Sequence, residues 1–229
     1  MRSAPARPAE PTAKLRITAL LLGLSLLWFA ASQAGATPAV VYDNTSGTLV
    51  DSQFNPGGFE FGDQITLGGS NRVVTQFQFA YQLQGGDGNE TATVRFYAND
   101  GPSGAPGTQL FQSNPISISN TGGVFVAGNV MNLDVSVPNS FTWSVLFGNV
   151  TGDTVTTGIF NPPTVGSSDP SFYWIRQNGQ WSKAPLGTGP ANLYARITAD
   201  NVVVPEPSTG LLLAVGLLAL ARRRRPASA

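Results

Sequence analysis

The chain has 229 residues, with 13 basic and 13 acidic side chains and neither cysteine nor histidine. The missing cysteines exclude a disulfide framework and thiolate chemistry, and the missing histidines remove the commonest general base and transition-metal ligand. The zero net charge hides an uneven distribution, because residues 37–203 hold five bases, Arg72, Arg95, Arg176, Lys183 and Arg196, against eleven acids, a net charge of −6. Nucleic-acid binding through a basic surface needs clustered Lys and Arg, so no nucleic-acid partner is expected.

At the N-terminus, Arg2, Arg7, Lys14 and Arg16 face Glu10 alone, and an apolar run of 15 residues follows from Ile17 to Ala31. Ala34-Gly35-Ala36 then gives a small-x-small exit. This order predicts a secretory signal peptide over residues 1–36, cut by signal peptidase after Ala36, with Ala34 as the alternative. A spanning helix needs about 20 apolar residues, more than this run supplies.

Residues 37–203 are long enough for one domain with its own core. Period-two patterns recur along them. Phe77, Phe79 and Tyr81 share a face with Thr75, opposite Gln76, Gln78 and Gln82. Ala92–Ala98, Met131–Val137, Phe141–Phe147 and Leu193–Thr198 alternate in the same way. Such alternation predicts half-buried strands. Turn-forming clusters separate them: Gly85-Gly86-Asp87-Gly88-Asn89, Asn99-Asp100-Gly101-Pro102, Gly148-Asn149, Asn161-Pro162-Pro163 and Asn178-Gly179. Glycine there supplies positive φ, proline fixes φ, and Asn and Asp bond their own backbone. No helical stripe interrupts the pattern. The fold class expected is all-β, an antiparallel β-sandwich of jelly-roll type.

At Val202 the composition changes. Val204-Pro205-Glu206-Pro207-Ser208 leads into twelve apolar residues, Gly210–Ala221, and then Arg222, Arg223, Arg224 and Arg225. As a helix the apolar run spans about 18 Å, short of a bilayer core of about 30 Å. It suits a transient anchor in the inner membrane better than a permanent one. The arginines hold the tail inside by the positive-inside rule, and the acidic body is placed outside.

Residues 204–225 resemble the PEP-CTERM sorting signal of Gram-negative bacteria: a Pro-Glu-Pro motif, an apolar stretch and an arginine cluster in that order. The resemblance implies recognition by an exosortase-type membrane protease, which acts near the motif, and release to the cell surface or the exterior. It also implies association with species that make exopolysaccharide and biofilm. A proline-flanked glutamate favours an extended segment with few backbone donors, which a protease can read at the membrane surface. Gln64–Arg72 and Val94–Asp100 resemble β-sandwich segments found among such proteins, and they bring no catalytic residues. The organisation expected is thus a signal peptide, a sandwich over 37–203 and a sorting segment over 204–229.

The body offers few residues for chemistry. A serine nucleophile with its usual histidine is excluded. Hydrolysis of sugars by a carboxylate pair requires two converging acids, and most acids here sit in turn clusters, so no catalytic residue is assigned and the expectation is a non-enzyme. Asp87, Asn89 and Glu90 in one loop and Asp100 in another could meet at one end of the sandwich and offer the oxygens calcium prefers. Ordinary Asx turns account for the same residues. Finally, Asn178-Gly179 is a hairpin signal that places Trp174 and Trp181 on adjacent strands. With Tyr173 they form a candidate carbohydrate platform for exopolysaccharide, or aromatic packing inside the sandwich. The sequons at Asn44, Asn89 and Asn149 read as surface loops.

Overall fold

The computed structural model describes residues 37–47, 49–55, 58–150, 152–160, 162–185 and 192–201, with the backbone alone described for 50–55. Among these, the strands are β1 (Ala39–Asp43), β2 (Leu49–Asn55), β3 (Glu60–Thr66), β4 (Val73–Gln84), β5 (Thr91–Ala98), β6 (Gln109–Gln112), β7 (Ile116–Ser117), β8 (Val126–Val130), β9 (Val135–Ser136), β10 (Ser140–Gly148), β11 (Thr154–Phe160), β12 (Ser167–Ser168), β13 (Tyr173–Gln177), β14 (Gln180–Ala184) and β15 (Ala195–Asp200). The helical content of the described residues is one 3-10 turn at Pro102–Gly104.

Two antiparallel sheets form a sandwich. The first runs β1-β15-β4-β11-β2, with β8 and β9 also on β4; the second runs β14-β13-β3-β10-β5-β6, with β12 on β3 and β7 on β5. Counting β1, β3, β4, β5, β10, β11, β13 and β15 as eight, the first pairs with the eighth, the second with the seventh, the third with the sixth and the fourth with the fifth. This nested pairing is that of one long hairpin rolled into two sheets, a jelly-roll-like architecture.

Alternation decides what each strand buries. From the first sheet, β4 sends Phe77 and Phe79 inward; from the second, β5 sends Phe96 and β10 sends Phe141 and Trp143. Their rings interlock: Phe77 lies 5.3 Å from Phe96 and 5.2 Å from Trp143, and Phe96 lies 5.3 Å from Phe141. The Phe77–Phe96 and Phe96–Phe141 pairs are edge-to-face, an arrangement that adds about 1 kcal/mol each beyond burial. The same alternation turns Glu60, Gly62 and Gln64 of β3, Arg95 and Tyr97 of β5, Thr142 and Ser144 of β10, and Trp174 and Arg176 of β13 to the outer face of the second sheet.

One expected strand is interrupted. Met131–Val137 alternates in sequence, but β8 stops at Val130 and β9 holds Val135 and Ser136 alone. Asn132 takes a left-handed conformation, φ 56°, which breaks an extended run and which Asn tolerates better than most residues. Met131 is consequently exposed.

Candidate functional site

The pairing registers lay Trp174, Gly62, Ser144, Arg95 and Gln112 in one row across β13, β3, β10, β5 and β6. Gly62 is required there: a Cβ at that position would sit 2.1 Å from the backbone oxygen of Trp143 and 2.9 Å from the Ser144 Cβ. A second row starts with Trp181, Arg176 and Glu60.

Glu60, 4% exposed, is the hub. Its Oε1 accepts hydrogen bonds from the Ser144 hydroxyl at 2.6 Å and the Tyr97 hydroxyl at 3.0 Å. Its Oε2 accepts from Arg95 Nη1 at 2.7 Å and Arg176 Nη1 at 3.4 Å. Arg176 also reaches the Tyr97 oxygen at 3.3 Å. Burial, and then the Glu60 charge, push the Tyr97 hydroxyl up to about 12, so it stays a neutral donor.

Trp181 closes the group. Its ring meets that of Tyr97 edge-on at 5.3 Å, and the Arg176 guanidinium lies 5.8 Å from it. On the sheet path β14 and β5 are separated by β13, β3 and β10. Four strand spacings of about 4.8 Å place them roughly 19 Å apart in a flat sheet. Ring contact therefore requires this face to be concave, with the β13–β14 hairpin curled over Glu60. Asn178 and Gly179 make that hairpin, both at positive φ (51° and 79°), as a two-residue turn demands.

The residues expected to form a sugar platform are divided by the fold. Tyr173 points into the core, because alternation puts it on the opposite face from Trp174. Trp174 is on the outer face but 3% exposed, packed against Phe172 at 5.5 Å and donating from Nε1 to Gln64 at 3.3 Å. The Lys183 ammonium lies 3.9 Å from the Phe172 ring and 5.4 Å from that of Trp174. Of the three rings Trp181 alone is partly exposed, so Tyr173, Trp174 and Trp181 do not present one open platform.

The residues expected as calcium ligands are not brought together either. Asp87, Asn89 and Glu90 precede β5 and Asp100 follows it, and an eight-residue strand keeps them roughly 25 Å apart. Glu90 is buried and accepts the Asp87 and Gly88 amides at 2.6 and 3.1 Å. Asp100 holds the Thr108 amide and hydroxyl, both at 2.7 Å, and the Thr108 bonds lower its pKa. Bonding to Asn89 lowers that of Asp87. Asp87 and Asn89 do share an open hollow with Gly86, Asn149 and Asp153. Among the described residues, no three acids gather closely enough to hold a metal ion. Asn44, read from its sequon as a surface residue, is buried and donates to the Asn192 and Leu193 carbonyls at 3.3 and 3.2 Å.

The sequence reading missed Glu60, Tyr97 and Ser144, and met Arg95 and Arg176 only as charges. One signal was there: Arg95 and Tyr97 lie two residues apart on the polar face of a strand whose other face is wholly apolar.

Ala34 and Ala36, the sorting motif Val204–Ser208 and the basic residues Arg222–Arg225 lie outside the described residues. No helix among the described residues is long and apolar enough to cross a membrane. Compared with known proteins, residues 203–225 match the PEP-CTERM protein-sorting motif. No curated protein and no solved structure matches the chain. The motif implies that this is an exported protein, sorted by an exosortase, a membrane protein, to the cell surface or extracellular space.

Proposed function

We propose that the chain is a non-enzymatic β-sandwich protein of the extracellular matrix or cell surface, delivered in two processing steps. Signal peptidase removes residues up to Ala36, and an exosortase-type protease then processes the tail near Pro205-Glu206-Pro207 while the apolar stretch sits transiently in the inner membrane. The observation that carries this reading is the sorting motif at residues 203–225, three residues beyond the last strand of an acidic body. Replacement of Pro205, Glu206 and Pro207 by alanine, followed by cell fractionation, tests it. The variant is expected to accumulate in the membrane fraction; export equal to that of the parent chain argues against the reading.

A second reading makes the body a carbohydrate-binding module for exopolysaccharide. One observation favours it: the partly exposed Trp181 ring stands beside Arg176 on a concave face, and exposed Gln109 and Gln112 border that face. An aromatic face with amide and guanidinium neighbours suits a sugar ring and its hydroxyls. Polysaccharide gel-shift with Trp181→Ala is expected to show lost retardation, and unchanged retardation would count against it.

A further inference from the structure

The five basic residues of the body are distributed unevenly. Arg72 is spent on the carbonyls of Gly68, Gly69 and Asn71 and on the Asn139 side chain. Arg196 pairs with Asp43 at 3.6 Å. The other three, Arg95, Arg176 and Lys183, all lie on the outer face of the second sheet. Among the described residues, Glu60 is the carboxylate within ion-pair distance of Arg95 and of Arg176. Two guanidiniums on one carboxylate leave a positive charge uncompensated, on a body that is otherwise acidic.

The donors are uncompensated as well. Glu60 is saturated, with two donors on each oxygen. Arg95 uses Nη1 on Glu60 and Nε on Gln112 at 2.7 Å. Arg176 uses Nη1 on Glu60 and Tyr97, and Nε on the Gly179 carbonyl at 3.5 Å. Neither Nη2 makes a hydrogen bond among the described residues. Both guanidiniums touch the same Glu60 oxygen, which gathers two positive charges at one spot on this face. Their side chains are 16% and 36% exposed, within reach of a ligand.

We infer that Arg95, Arg176 and Trp181 form a binding site for a carboxylate-bearing saccharide, a uronic-acid unit of an acidic polysaccharide. This rests on the carbohydrate-binding reading and names its ligand class. The ligand carboxylate accepts from the two Nη2 groups, as a guanidinium pair is suited to do. The sugar ring lies against the open part of Trp181, and the Gln109 and Gln112 amides meet its hydroxyls. Two guanidiniums with two carboxylates make the occupied site neutral, with Glu60 fixing the arginine positions from beneath.

The test uses the full chain and two polymers with one backbone: polygalacturonate and its fully methyl-esterified form, with neutral dextran beside them. Binding is read by Trp fluorescence and calorimetry at low and high salt. Polygalacturonate is expected to bind, more weakly as salt rises, and the ester at least about tenfold more weakly, as the loss of a charge-assisted contact implies. Arg176→Gln and Trp181→Ala are each expected to weaken binding by about tenfold. Thermal melting of both variants separates lost binding from lost folding, and Gln112→Ala supplies a milder third variant. Equal binding of acid and ester overturns the carboxylate assignment and leaves the carbohydrate reading standing. Acid-selective binding unchanged in every folded variant overturns the site. No binding of any of the three polymers ends both.

Discussion

Strand β3 buries two carboxylic acids three residues apart, on opposite faces, and they fare differently. Glu60 faces outward and meets four donors, two of them arginines. Asp63 faces the core, fully buried, opposite Trp143 in the β10 register. Its Oδ2 accepts the Leu193 amide at 3.2 Å, but its Oδ1 finds no partner among the described residues, and no cation pairs with it. Burial therefore holds its pKa well above the usual carboxylate range, and the Leu193 amide opposes that shift. Asn44 Oδ1, Trp143 Nε1 and Asn192 Nδ2 likewise find no partner among the described residues. Depth is similar at the two sites, so partners decide which acid serves as a charged hub and which is a liability in the core.

Substitutions separate the two cases. Glu60→Gln leaves two guanidiniums facing each other and is expected to cost about 3 kcal/mol, read as a lowered denaturant midpoint. A cost near zero would mean that the hub is not stabilising. Gly62→Ala drives a Cβ onto the Trp143 carbonyl and is expected to cost about 2 kcal/mol, with loss of the Trp181 fluorescence environment as the hairpin shifts. Tyr97→Phe removes one donor to Glu60 and is expected to cost about 1 kcal/mol. The smallest effect at acidic pH is that of Asp63→Asn, because both side chains are then neutral. Its sign changes the picture as pH rises. In the folded state Asp63 keeps its proton above the ordinary carboxylate pKa of about 4, where the unfolded chain has lost it. Stability of the parent chain must fall as pH climbs from that value through the raised folded pKa. Asp63→Asn flattens this slope, and a parent chain that gains stability across the window would contradict the account.

Much of the fold was legible because its cues are local. Alternation in Phe77–Tyr81, Ala92–Ala98 and Phe141–Phe147 identified strands and their inner faces, and Asn178-Gly179 marked a hairpin that the structure contains. Met131–Val137 misled because one left-handed residue, Asn132, interrupts a pattern that period alone cannot see. The candidate site was hidden for a different reason. Glu60, Arg95, Ser144 and Arg176 are 35 to 116 positions apart along the chain where they meet, and only sheet order joins them. The calcium grouping failed on information the sequence did hold: one strand, β5, separates Asp87–Glu90 from Asp100. Tyr173 and Trp174 are adjacent in sequence, and that adjacency is what sends them to opposite faces.

If the sandwich reaches the exterior without its two ends, the intact mass of the protein recovered from medium and cell surface reveals both cuts at once. The full chain is 24.0 kDa. The expected species begins at Thr37 and lacks Arg222–Arg225, with its C-terminus near Pro205–Ser208. A full-length mass in the external fraction, with the arginine run retained, would contradict it.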